Sequence, residues 1–257
     1  DQGRSFNPNA SPEAAQITIA ALERVTALLP TQSKRTAEQD AFQQYSTVPA
    51  LAYAANWVAN ITSADTMMEP SAGIGGLAIF AKNAGARLIL NELSSRRAAV
   101  LRDVFPGASV YSENAEQINN ILPRHEVPTV VVMNPPFSAT AGRMQNNNNT
   151  KVGALHVEQA LKRTAPGGRL VAIVGDGMSM DKPTFKDWWK KIQSEYDVRA
   201  VIPMDGSGYA KYGTTFDNVV LVIDKVKPSG RKVVTTAATN YSELIGLLSE
   251  IRNDRPE

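Results

Sequence analysis

The sequence predicts an α/β protein with a doubly wound sheet, and three observations carry that prediction. Seven short, β-rich apolar runs recur along the chain, ending near Met68, Leu90, Ser112, Met133, Val174, Ile202 and Ile223. Helical segments alternate with them through most of the chain, as expected of strands joined by crossover helices. The first run leads directly into a glycine loop, Glu69-Pro70-Ser71-Ala72-Gly73-Ile74-Gly75-Gly76, and then into a helix.

At 257 residues the chain is long enough to bury a full core as one large α/β domain with extensions. Hydrophobic residues make up 43% and charged residues 20%, and no apolar run approaches a membrane span, which predicts a soluble globular protein. The absence of cysteine, with histidine only at His125 and His156, argues against a disulfide framework, a thiolate nucleophile and a zinc cluster, so no metal is expected. A formal net charge of +2 leaves any nucleic-acid contact to a local patch. No signal-peptide pattern is present, which predicts a cytoplasmic protein or a segment of a longer one.

Residues 1–10 are polar and turn-rich. Ser11-Pro12-Glu13 has the form of a helix start, with Ile17, Ala21, Val25 and Leu28 at helical spacing before Pro30. Residues 1–40 are therefore expected to form a helical extension docked on a main domain of residues 41–226, with 227–257 a tail carrying a short helix. Pro49 opens an alanine-rich helix to Ala59, buried through Leu51, Tyr53 and Trp57. The polar residues before it, Tyr45 to Thr47 among them, lie at a helix N-terminus, where free amides and the helix dipole suit a carboxylate.

The strand Thr66 to Met68, the glycine loop and a helix from Leu77 to Asn83 form a nucleotide-binding pattern, because glycine permits positive φ and close approach to a ligand. A second strand, Arg87 to Leu90, ends at Asn91-Glu92, and Glu92 lies 19 residues beyond Gly73, where a carboxylate takes ribose hydroxyls. The spacing identifies a nucleoside without saying which. Gly73-x-Gly75-x-x-Ala78 also meets the dinucleotide fingerprint, so a nucleotide-binding or dehydrogenase domain stays open. The next helix, Ser94 to Val104, is expected to turn Arg96, Arg97 and Arg102 to solvent. A short strand from Ser109 to Ser112 precedes Asn114-Ala115.

The central strand, Thr129 to Met133, stops at Asn134-Pro135-Pro136-Phe137. Four apolar residues in succession indicate a strand covered on both faces, and ligands in such sheets lie beyond the carboxyl ends of the strands. The prolines fix the shape of this tip and donate no backbone hydrogen bond. The Asn134 side-chain oxygen and the Pro135 carbonyl can each accept one hydrogen of a ring-conjugated NH2 group. That pulls the nitrogen towards tetrahedral geometry and aims its lone pair at an incoming methyl group, while Phe137 offers a ring face to an unstacked base.

Asn134-Pro135-Pro136-Phe137 resembles the catalytic motif of class I S-adenosylmethionine-dependent methyltransferases that act on adenine N6 in DNA. The resemblance covers roughly Phe42 to Lys225 and includes the segment before Pro49, the glycine loop and the acid at Glu92 in the same order. It implies a Rossmann-like seven-stranded methyltransferase sheet with the last strand antiparallel beside the fifth. It also implies direct in-line methyl transfer with no covalent intermediate. Asn134, Pro135, Pro136 and Phe137 would be the catalytic tip. S-adenosyl-L-methionine would be held by Tyr45, Thr47, Glu69, Pro70, Ala72, Gly73, Gly75, Glu92, Asn114, Ala115 and Asn134. Two departures stand out: Val48 separates Thr47 from Pro49 where the family more often joins threonine to proline, and Asn114 replaces the usual aspartate. RNA guanine N2 or a protein glutamine amide are alternative substrates, since similar tips serve those planar amines.

The polar stretch from Ser138 to Lys151 is expected to be a loop at the active face, with Arg143 and Lys151 either touching phosphate or merely solvated. Helix Ala154 to Thr164, on which His156 is packed or exposed, leads to strand Arg169 to Val174. Tryptophans 188 and 189, one of them expected in the core, precede strands Val198 to Ile202 and Asn218 to Asp224. Between those strands Tyr212 and Phe216 are both candidates for the second face of a base pocket. The thirty or so residues after Lys227 are too few for the recognition domain usual in this family. Target recognition is thus expected from further domains or a partner protein, as in strawberry-notch-like, helicase-containing phage or plasmid proteins.

Overall fold

The computed structural model describes residues 6–28, 47–136, 151–204 and 217–256. Strands β1 (Thr66–Glu69), β2 (Arg87–Asn91), β3 (Ser109–Tyr111), β4 (Val130–Met133), β5 (Arg169–Gly175), β6 (Asp197–Met204) and β7 (Asn218–Asp224) form one seven-stranded sheet in the order β3-β2-β1-β4-β5-β7-β6. Strands β1 to β5 pair in parallel, and β7 runs antiparallel between β5 and β6, from Arg169↔Asp224 to Gly175↔Asn218. The sheet therefore has the order and the single reversed strand expected from the sequence. All four residues of β4 are buried, as its uninterrupted apolar run requires.

Because side chains alternate across a strand, β4 feeds two cores. Val130 and Val132 join Val171, Ile173, Val220 and Val222 on one face. Helices α1 (Pro12–Leu28), α2 (Pro49–Ala59) and α3 (Ala78–Asn83) cover it, together with Leu101 of α4 (Ser95–Val104) and the last helix, Tyr241–Asn253. Val131 and Met133 join Leu170, Ala172, Leu221 and Ile223 on the other face. There they pack against the one-turn α5 (Ile118–Ile121), α6 (Val152–Arg163) and α7 (Lys186–Glu195). The last helix is α8 (Tyr241–Asn253), and its Leu244, Ile245, Leu248 and Ile251 share a core with α1 and α2. Among the described residues no helix is long and apolar enough to cross a membrane.

Ser11 starts α1 as expected, its Oγ accepting from the Ala14 amide at 3.3 Å. The packed face of α1 is not the expected one, however. Ala15, Ile19, Leu22 and Thr26 are buried, whereas Ile17, Val25 and Leu28 are 64%, 53% and 85% exposed. The chain before α1 is tied to α2 by two bonds, from Trp57 Nε1 to the Ala10 carbonyl at 2.9 Å and from the Tyr53 hydroxyl to Asn7 at 3.3 Å. Of the two tryptophans on α7, Trp189 is the buried one, and Trp188 donates to Glu158 Oε1.

The sheet edge formed by the start of β5 and the end of β7 carries buried charge. Arg169, fully enclosed, donates to both oxygens of Asp224 at 2.7 and 2.9 Å and to the carbonyls of Val58 and Ile251. Arg199 adds a bond to Asp224 at 3.1 Å and one to Asp254 at 2.8 Å. Charges removed from water persist only when paired and fully hydrogen-bonded, and this cluster meets that condition by fastening α2 and α8 to the sheet.

Candidate functional site

The carboxyl ends of β1, β2 and β4 open on the opposite edge, where the order passes from β1 to β4 and the chain reverses direction across the sheet. Crevices at such switch points are where doubly wound sheets take ligands. The glycine loop begins directly after β1. Its Ala72 amide donates to the Asn91 carbonyl at 2.8 Å, and Asn91 Nδ2 donates to the carbonyls of Pro70 and Glu113, both at 2.9 Å. Asn91 thus holds the loop and the exit from β3 to the end of β2.

Gly73 and Gly75 have φ of +57° and +88°, a region that side chains rarely enter. At Gly75 a Cβ would also lie 2.2 Å from the Phe105 ring, so this glycine lets α4 close on the loop. Glu92 Oε2 accepts from the Gly73 amide at 2.8 Å, and Oε1 accepts from the Ser94 amide at 2.9 Å. Oε2 retains a second lone pair for an incoming hydroxyl. Next in sequence to Gly73 and to Glu92, Ile74 and Leu93 are 60% and 55% exposed. A buried acid bonded to the glycine-loop backbone fits a nucleoside.

Several of the expected residues also hold the local backbone. Glu69 is enclosed, and its Oε2 accepts from the Ala78 amide at 3.0 Å, capping the first turn of α3 from within. Burial pushes its carboxyl well above the usual carboxylate range; the Ala78 bond opposes this and the Glu92 charge adds to it. Asn114 caps the short 3-10 turn Ala115–Gln117, its Oδ1 accepting from the Glu116 amide at 3.0 Å, and Ala115 is buried. Arg97, expected in solvent with Arg96 and Arg102, turns back instead. Its Nη2 lies 3.4 Å from Glu92 Oε1, and its Nη1 lies 3.8 Å from where a Gly73 Cβ would stand. The first turn of α4 begins just after Glu92, so a long side chain there reaches the loop.

Asn134 follows β4 directly and is half-buried, with Pro135 buried and Pro136 half-buried. Asn134 Nδ2 donates to Thr47 Oγ1 at 2.8 Å, joining the end of β4 to the approach to α2. On the β5 side a cavity of about 130 Å³ is lined by both prolines, Gly153, Val174, Gly175, Gly177, Met178 and Phe185. Phe185 is an aromatic wall beside the tip that the sequence did not single out. Lys151 is exposed at the start of α6, on the same edge. Tyr45, Phe137, Arg143, Tyr212 and Phe216 lie outside the described residues.

No family model and no curated protein matches the sequence. Solved structures do match its fold. A class I S-adenosylmethionine-dependent methyltransferase proposed for Listeria monocytogenes superposes with a TM-score of 0.64 at 16% identity, over 95% of this chain and 80% of that one. A modification subunit of a proposed type I restriction enzyme from Vibrio vulnificus gives 0.63 at 15%, over 94% of this chain and 59% of that one. A proposed RNA methyltransferase from Pyrococcus horikoshii gives 0.59 at 16%, over 82% and 99%. The chain therefore has the Rossmann-like fold of class I methyltransferases, and it spans somewhat more than half the length of the restriction-enzyme subunit.

Proposed function

We propose that the chain is an S-adenosylmethionine-dependent methyltransferase acting on the N6 amine of adenine in DNA. The observation that carries this reading is Asn134 at the end of the central strand, where its Nδ2 donates to Thr47 Oγ1, and its Oδ1 would be the acceptor for a substrate amine. When bound, S-adenosylmethionine supplies an electrophilic methyl group. Gly73, Gly75 and Glu92 would hold its nucleoside. Oδ1 of Asn134 and the Pro135 carbonyl accept the two amine hydrogens, restore the nitrogen lone pair and orient it for in-line attack, so no covalent enzyme intermediate is needed. The similarity to a restriction-enzyme modification subunit supports DNA as the polymer.

The reading makes separable predictions. Glu92→Ala should weaken S-adenosylmethionine binding more than about ten-fold by calorimetry, since ribose hydroxyls and two loop amides lose their acceptor together. Asn134→Ala should abolish transfer and leave that affinity nearly intact. Tight binding of NAD with none of S-adenosylmethionine would defeat the methyltransferase reading. Radiolabelled transfer offered DNA, RNA and protein side by side tests the substrate, and methylation of RNA or protein alone would replace adenine in DNA. Flipping a base out of a duplex costs a few kcal/mol, and a chain with net charge +2 gains little from phosphate contacts to offset it. Salt-sensitive activity favouring single-stranded over duplex oligonucleotides is therefore expected, and efficient site-specific methylation of intact duplex would contradict it.

A further inference from the structure

Asparagine has two ends of almost the same shape and opposite hydrogen-bonding sense, and its last torsion is broad and roughly two-fold. The reaction above needs Oδ1 of Asn134 towards the target amine. After half a turn the side chain would set its own N–H groups against those of the substrate. Pro135 and Pro136 fix the main chain of the tip but leave this torsion free. Among the described residues the partner of the Asn134 side chain is Thr47, 87 positions earlier in sequence, whose Oγ1 accepts from Nδ2 at 2.8 Å.

We propose that Thr47 is a positioning residue that holds the Asn134 side chain against the approach to α2, so that the opposite end of its amide meets the substrate. The proposal rests on the methyltransferase reading and deepens it. Accepting Nδ2–H ties the donor end of the amide to the approach to α2 and leaves the acceptor end to the reacting nitrogen. The sequence suggested a different task for Thr47, binding the cofactor carboxylate at the start of α2. The two tasks separate experimentally, because a carboxylate ligand governs cofactor affinity and an amide-orienting hydroxyl governs turnover once cofactor is saturating.

Thr47→Val keeps the β-branched shape and loses the hydroxyl, and Thr47→Ser keeps the hydroxyl. Three quantities decide: the affinity for S-adenosylhomocysteine by calorimetry, kcat on an adenine-containing single-stranded oligonucleotide at saturating S-adenosylmethionine, and the NMR signals of the Asn134 side-chain NH2, assigned by their loss in Asn134→Ala. In Thr47→Val, kcat should fall about ten- to a hundred-fold while affinity for S-adenosylhomocysteine stays within about three-fold. The Asn134 NH2 signals should move upfield in Thr47→Val, and Thr47→Ser should restore both signals and kcat. Unchanged kcat, loss of affinity with kcat intact at saturation, or a matched fall in both overturns the proposal. If Thr47→Val does not fold, Thr47→Ala carries the same comparison. Should the wild-type chain bind no S-adenosylhomocysteine, the methyltransferase reading fails first, and calorimetry alone reports that.

Discussion

His156, on α6, is buried, and among the described residues its Nδ1 has no hydrogen-bond partner. Burial disfavours the imidazolium and brings its pKa from 6.5 down to about 4. It is therefore neutral in the folded chain at pH 7 and poorly suited to general-base work. Between pH 6.5 and about 4 the unfolded chain binds a proton that the folded chain refuses, so stability falls as pH falls through that window. The loss from pH 7 to pH 4.5 should be about 2 kcal/mol from this residue. Urea unfolding of His156→Leu at those two pH values should show a shallower dependence by about that amount, and an unchanged slope would contradict it. Single residues were also where the sequence spoke least. Glu92, Gly73 and Asn134 were legible because their spacing and their place at strand ends are local facts. Arg97 was not, since a helical pattern does not say that a first-turn side chain folds back onto the preceding loop. The Thr47–Asn134 bond leaves no local trace at all.

Helix α1 shows what periodicity leaves undecided. Two rows on it, Ile17-Ala21-Val25-Leu28 and Ala15-Ile19-Leu22-Thr26, both have helical spacing, and the partner helices α2 and α8 select the second. Ile19→Ala should cost about 2 to 4 kcal/mol in denaturant unfolding and Ile17→Ala less than about 0.5 kcal/mol. The strands, by contrast, were legible to within a residue or two, because β-rich runs bounded by turns and glycine leave few alternatives. In the glycine loop, Gly75→Ala meets both an unfavourable φ and the Phe105 ring. It should destabilise the protein by about 2 to 4 kcal/mol. Gly76, where a Cβ meets nothing within 4 Å, should tolerate alanine far better. Thermal unfolding of the two variants side by side checks the contrast.

At the scale of the whole molecule, the glycine-loop edge and the charged edge lie at opposite ends of the sheet and place different demands on it. Arg169→Met would leave Asp224 enclosed with Arg199 as its remaining described partner and would release the carbonyls of Val58 and Ile251. A loss of about 3 kcal/mol in denaturant unfolding is expected, and a neutral result would mean the pair is replaceable by apolar packing. Helix α8 lies within the same arrangement. Ile251 and Leu248 share the core of α2, Arg252 stands 5.0 Å from the Trp57 ring, and Arg255 bonds the Asn60 carbonyl where α2 ends. The other end of α2 begins two residues after Thr47. Amide exchange along Ala50–Ala59 should therefore quicken when α8 is loosened, for example by Leu248→Ala, while β4 remains protected. Turnover would then be set partly from the back of the molecule, through a helix that transmits slackness at one end into misalignment at the other.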